Sequence, residues 1–143
     1  MKKLSVILTL LLGCSLIQER LAVKECKFNL KSARPYDFSL TDLKLDLTIG
    51  MDNPNKVDAV LDRFDYQLVI AGENVLSGST SQRIKVLSGK SKDFVTTVTL
   101  NYQSISTAIL KALKEGSPSY AMKGRAYIDT PVGSLNYPVS ISL

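Results

Sequence analysis

Between Leu43 and Met51 the chain alternates without a fault: Leu43, Leu45, Leu47, Ile49 and Met51 are apolar, and Lys44, Asp46, Thr48 and Gly50 lie between them. Successive side chains of an extended strand point to opposite faces, so this segment presents one continuous apolar face and one polar face. A helix would scatter the same residues around its circumference. The period of two returns in Phe64, Tyr66, Leu68 and Ile70, and again in Phe94, Thr96, Val98 and Leu100. It returns twice more near the end, in Tyr120, Met122, Ala126 and Ile128 and then in Leu135, Tyr137, Val139 and Ile141. Turn chemistry separates these segments. Ala71-Gly72-Glu73-Asn74 turns into Val75-Leu76, Ile84 and Val86 lead to Leu87-Ser88-Gly89-Lys90, and Thr130-Pro131-Val132-Gly133 precedes the last strand. One-faced strands joined by short turns need a second layer against which to bury their apolar sides. The expected fold is therefore mainly β, an antiparallel β-sandwich.

One segment departs from this period. Ile105, Ala108, Ile109, Ala112 and Leu113 follow the spacing of an amphipathic helix, predicted over residues 102–115. Asn101 is the expected N-cap, Lys111 and Lys114 sit where the helix dipole favours cations, and Gly116 with Pro118 stops the helix. The apolar stripe is expected to cover the open side of a sheet. Pro138, inside the last strand, predicts an edge position, because proline cannot donate to a ladder.

The N-terminus carries a different message. Lys2-Lys3 is followed by a nine-residue, mostly apolar run from Leu4 to Leu12, and Leu11-Leu12-Gly13-Cys14 closes it. At about 1.5 Å per helical residue the run spans roughly 14 Å, half of a ~30 Å hydrocarbon core, so it is too short to remain as a span. A charged start, a short apolar core and a small residue before the cut also describe an ordinary secretory signal. The cysteine directly after Gly13 favours a bacterial lipoprotein signal over both alternatives. On that reading residues 1–13 are removed, Cys14 becomes the lipidated N-terminus, residues 14–24 form a tether, and 25–143 form one domain. The protein is then expected outside the cytoplasm, lipid-anchored. Ser15 stands where Asp resembles an inner-membrane retention signal, so the periplasmic side of the outer membrane is expected if the source has two membranes. Lipidation also leaves Cys26 as a lone thiol, expected to pack near Phe28 and Leu30; the competing reading is a Cys14–Cys26 disulfide.

Composition excludes more than it proposes. The formal charge of +5 loses two units with Lys2 and Lys3, and the remaining cations are interleaved with acids. A clustered basic face of the kind nucleic acid requires is missing, so no nucleic-acid partner is expected. The chain contains no histidine. Ser-His and Cys-His nucleophile pairs, histidine metal sites and the usual neutral-pH base are thereby removed. Gly89-Lys90-Ser91 imitates the end of a phosphate-binding loop, but Ile84 occupies the position of its first glycine. Asp58, Asp62 and Asp65 lack the glycine and closing glutamate of a calcium loop, with Arg63 among them, and read as a solvated face. Asp42 and Asp46 flank Lys44 in the same sense. No catalytic residue, metal site or cofactor is expected.

A resemblance enters at Leu47-Thr48-Ile49-Gly50-Met51-Asp52, which runs into Asn53-Pro54-Asn55. The strand Phe64-Asp65-Tyr66-Gln67-Leu68-Val69-Ile70-Ala71-Gly72 follows, then Leu76-Ser77-Gly78. This order resembles the late embryogenesis abundant type 2 family, also called the water-stress and hypersensitive-response (WHy) domain. The motif residues are Asn53, Pro54, Asn55, Tyr66, Gly72 and Gly78. Pro54 removes a donor and holds Asn53 extended, while asparagine side chains can bond to nearby backbone, so the tripeptide is read as a structural strand terminator. The resemblance implies a fibronectin-III/immunoglobulin-like sandwich of about seven strands with one helix, and a mostly non-enzymatic role in desiccation or osmotic stress. The groove between the helix and the sheets is one expected binding surface. The expected partners are the membrane through the lipid anchor and an envelope protein or a lipid, with the chain itself monomeric. The alternative role is an accessory subunit or lipid-binding component of an envelope complex.

Overall fold

The computed structural model describes residues 23–80 and 82–143. The expected signal residues Leu11, Leu12 and Gly13, the expected lipidation site Cys14 and most of the expected tether lie outside the described residues. Eight strands follow: β1 (Lys27–Tyr36), β2 (Asp42–Asp52), β3 (Ala59–Ile70), β4 (Glu73–Thr80), β5 (Ile84–Val86), β6 (Ser91–Asn101), β7 (Tyr120–Thr130) and β8 (Gly133–Ser142). Among the described residues one α-helix, α1 (Thr107–Glu115), lies between β6 and β7.

The strands form two antiparallel sheets. One has the order β1-β2-β6; the other runs β4-β3-β7-β8, with the short β5 also pairing with β3. β4 pairs with Phe64–Ile70 and β5 with Ala59–Leu61, so the two short strands share β3 end to end. The count is eight where the resemblance implies about seven. The three-residue β5 is a strand in its own right, because Ile84 and Val86 bury their side chains while their backbone pairs with β3.

The alternation dictates the layering. All five apolar residues from Leu43 to Met51 are 0% exposed, and they meet Phe64, Leu68, Ile70, Met122 and Ile128 from the facing sheet. Removing such a side chain from water contributes about 1.5–3 kcal/mol, which is why one strict strand face is enough to fix the register of its sheet. Phe28 stacks on Phe64 with ring centroids 6.2 Å apart, and Tyr66 lies 5.6 Å from Phe64. Pro138 does lie on an edge strand, β8. The turn between β3 and β4 is tighter than predicted: only Ala71 and Gly72 leave the ladder, with φ of 49° and 83°, and Glu73 already begins β4. Two successive positive φ values are those of a two-residue hairpin whose twist matches its strands.

The helical segment needs a correction. Asn101 caps, but what it caps is a 3₁₀ turn over Tyr102–Ser104, where its side chain accepts from the Gln103 N–H. The α-helix starts only at Thr107, capped by Ser106, whose hydroxyl accepts from the Ile109 N–H at 3.2 Å. Ile105 is extended between the two. The reason is competition between two good N-caps; the second stands directly before the stretch whose Ile109 and Leu113 are 2% and 4% exposed. Ala108, expected in the stripe, is exposed.

Candidate functional site

Asn53, Pro54 and Asn55 sit where β2 has ended and the chain turns toward β3, and two of them are buried polar residues: Asn53 is 2% exposed and Asn55 7%. Buried amides must find partners, and these find one another and three separate segments. The Asn53 side-chain amide donates to the carbonyls of Val57 at 2.9 Å and Val86 at 3.0 Å. Its Oδ1 accepts from the Asn55 backbone N–H and from Asn55 Nδ2, both at 3.0 Å. Asn55 in turn brackets the chain where it enters the domain: its Oδ1 accepts from the Lys24 N–H at 2.6 Å and its Nδ2 donates to the Lys24 carbonyl at 2.9 Å. The Asn55 carbonyl accepts from the Gly89 N–H and from the Ser88 hydroxyl, and the Asn53 N–H reaches the Lys90 carbonyl. Asp58 completes the knot by accepting from the Ser88 N–H at 2.9 Å. The tripeptide therefore joins the chain's lead-in at Lys24, the β2–β3 loop and the β5–β6 turn.

Tyr66 and Gly78 are cross-strand partners, as are Tyr66 and Gly124. A Cβ on Gly78 would sit 2.8 Å from the tyrosine hydroxyl, so the glycine is what lets the 6% exposed ring lie across β4. Burial pushes the Tyr66 phenol above its ordinary value. On the other side, a Cβ on Gly124 would run into the Asp65 carbonyl oxygen. An open groove of about 540 Å³ passes over these residues, lined by Gln67, Ser77, Lys123, Arg125 and Tyr127 among others. Lys123 and Arg125 have no carboxylate partner among the described residues, although Arg125 donates to Asn136 at 2.8 Å.

The carboxylates read as a solvated face are individually engaged. Asp62 meets Arg83 at 2.8 Å, Asp65 meets Arg63 at 3.2 Å and accepts from the Ser79 hydroxyl, and Asp58 faces Lys85 at 3.8 Å. Arg63 also lies 4.0 Å over the Tyr127 ring. Lys44 faces Asp37, and Asp46 is paired with Arg34 and accepts from the Thr97 hydroxyl, which holds its carboxyl below the usual range. Among the described residues no group of His, Cys, Asp or Glu has metal-ligand geometry. Cys26 is a free, buried thiol whose pKa burial pushes up, one residue before β1. Tyr137 donates its hydroxyl to the Cys26 carbonyl at 3.1 Å and is itself held protonated by burial. On the side of α1 that faces the sheets, Ile109 and Leu113 are seated in the core.

Sequence reasoning found the tripeptide but not its partners Lys24, Ser88 and Asp58, which lie up to 33 residues away. It also missed Gly124. A glycine breaking a strand of alternating apolar residues was the available signal.

A sequence profile of the Late embryogenesis abundant protein family matches residues 48–143. No curated protein sequence matches. Among solved structures, the chain is similar to the solution structure of an Arabidopsis thaliana protein, with a TM-score of 0.66 at 14% identity, over 85% of this chain and 82% of that one. It is similar to the solution structure of a late embryogenesis abundant (LEA) protein, with a TM-score of 0.62 at 19% identity, over 99% of this chain and 83% of that one. The crystal structure of a Bordetella pertussis protein matches with a TM-score of 0.53 at 14% identity, over 85% and 96% of the two chains. These likenesses show a shared sandwich. Because the profile takes in the end of β2 from Thr48 and everything after it, including the Asn53-Pro54-Asn55 knot and the Tyr66–Gly78 pair, the chain belongs to the late embryogenesis abundant type 2 family.

Proposed function

We propose that this protein is an extracytoplasmic lipoprotein whose single WHy-type domain acts without catalysis, by binding or shielding, in tolerance of desiccation and osmotic stress. The observation that carries the reading is the coexistence of two independent signals in one chain. One is the Leu11-Leu12-Gly13-Cys14 motif behind a short charged and apolar leader, and the other is the family match over 48–143. A diacylglycerol thioether at Cys14 with an added N-acyl chain exceeds the two hydrophobic signals that stable anchoring requires. The domain is then held permanently at the membrane, on the outer one in a cell with two. The chemistry of the domain is consistent with this role: with no histidine and with Asp58, Asp62 and Asp65 each engaged by a neighbouring cation, its side chains offer surfaces and hydrogen bonds.

Intact mass of the mature protein tests the anchor, with an N-terminal Cys14 carrying acyl chains as the expected result. Deletion of the gene tests the role. Survival after drying or osmotic shock should fall, and unchanged survival would remove the stress reading.

A second reading, the accessory subunit of an envelope complex, is favoured by the loop joining β1 and β2, where Leu40 is 98% exposed and Phe38 42%. Crosslinking from position 40 in whole cells should give one dominant protein adduct if that loop docks a partner.

A further inference from the structure

The Asn53-Pro54-Asn55 knot decides which end of the sandwich the tether leaves from, and that end has a composition of its own. Asn55 grips the backbone of Lys24 from both sides, so the chain enters the domain against the β2–β3 loop, beside the β5–β6 turn whose Lys90 carbonyl accepts from Asn53. Lys24, Lys56 and Lys90 are thereby gathered at one end, all exposed and without a carboxylate partner among the described residues. Two acids of the same end are engaged, Asp58 by Lys85 and Asp129 by Arg83, while Asp52 stands across from Lys27 in the β1–β2 register and Glu25 is exposed. The β7–β8 turn reaches the same end, since Asp129 pairs with Val60 at the start of β3. Two apolar side chains are presented there, Leu87 at 53% exposure and Val132 at 46%.

We infer that this end of the sandwich is a membrane-docking surface for an anionic lipid bilayer, with Lys24, Lys56 and Lys90 against the headgroups and Leu87 and Val132 dipping between them. The inference rests on the proposed lipidation of Cys14. Lys24 is ten residue steps from Cys14, and at no more than about 3.5 Å each they hold the gripped end within roughly 35 Å of the bilayer. A domain confined to that distance is oriented by whichever end attracts the surface. Each lysine close to an anionic surface favours the bound arrangement by about fivefold. Leucine and valine tips add apolar contact of the kind that interfacial segments use. The knot therefore has a use beyond ending a strand: it gathers three lysines at the end where the tether enters the domain.

The test uses the lipidated full-length protein reconstituted in phosphatidylglycerol vesicles and, separately, in phosphatidylcholine vesicles. Single labelling sites are introduced as Leu87→Cys, Val132→Cys and Leu40→Cys, each carrying an environment-sensitive fluorophore; Cys26 is buried and resists labelling. Position 40 lies on the β1–β2 loop, at the opposite end of β2 from the knot. In phosphatidylglycerol, the labels at 87 and 132 should shift to the blue and be quenched by bromine-substituted lipid, while the label at 40 should do neither. The combined Lys24→Gln, Lys56→Gln and Lys90→Gln changes, all at exposed positions, should return the 87 signal to its phosphatidylcholine value. Acylated protein with no shift at 87 and 132, or with the shift at 40 instead, overturns the surface and leaves the anchor standing. An unmodified Cys14 in the intact mass overturns the anchor and the docking surface together.

Discussion

Asn53 makes five hydrogen bonds with a side chain that is almost wholly enclosed, and they satisfy backbone groups of Val57, Val86, Leu87 and Asn55 and the side-chain amide of Asn55 that would otherwise need water. Truncating it leaves those groups buried and unpaired, the costly half of the hydrogen-bond asymmetry. Asn53→Ala should therefore lower the unfolding free energy by about 3 kcal/mol in urea titrations, whereas Pro54→Ala should cost about 1 kcal/mol or less. Equal costs for the two would mean that the knot contributes rigidity of the turn and little else. Thr80 shows the converse. Its buried hydroxyl has no partner among the described residues, so Thr80→Val should raise the denaturation midpoint by the equivalent of about 1 kcal/mol. The knot was half legible. Asn-Pro-Asn after a clean strand announces a turn, but Lys24, Ser88 and Asp58 carry no mark that they would meet it, because hydrogen bonds between distant segments leave no periodicity in the chain.

At the scale of elements, the alternating strands were read correctly and the helix start was not. Strand period is set by burial of every second residue over ten or more positions, so many independent side chains agree on it. A helix start is set by one cap, and two candidates five residues apart competed here. Ser106 won because the turn it begins places Ile109 and Leu113 in the core, while Asn101 closes a 3₁₀ turn whose residues are not buried. Ser106→Ala should accordingly cost about 1 kcal/mol and lower the midpoint of thermal unfolding, and Asn101→Ala should cost visibly less. The reverse order would place the true start of the helix at residue 102. The short β5 escaped prediction for a related reason: three residues are too few to show a period, and pairing with β3 is what makes them a strand.

The whole molecule has an unusual pH profile written into its composition. With no histidine, few groups change charge between the carboxylates and the cysteine, and stability should be level from about pH 5 to about pH 8. On the alkaline side, burial raises the ionisation of Cys26, Tyr66, Tyr120 and Tyr137 above their ordinary values. These groups are neutral when protonated. Once the pH passes about 8.5 for the thiol and about 10 for the phenols, the unfolded chain releases protons that the folded one retains, so stability falls as pH rises. On the acid side Asp46, held low chiefly by the Thr97 hydroxyl, contributes above the ordinary carboxylate range and loses that contribution as pH falls through its folded value. Thermal midpoints measured across pH should show this plateau with an alkaline decline, and Cys26→Ala should move the onset of the decline upward. A decline that begins below pH 7 would contradict the burial assigned to these groups.

By itself the sequence determined the layers: which side of each strand faces inward, and that two sheets must close on one another. Those properties depend on neighbouring residues, and a period or a short motif records them directly. Only the tertiary structure decided that Lys24, Lys56 and Lys90 share one end, that Gly124 must have no side chain beside Asp65, and that β5 exists. Each of these depends on residues far apart in the chain being brought within bonding distance, and only the closed sandwich does that.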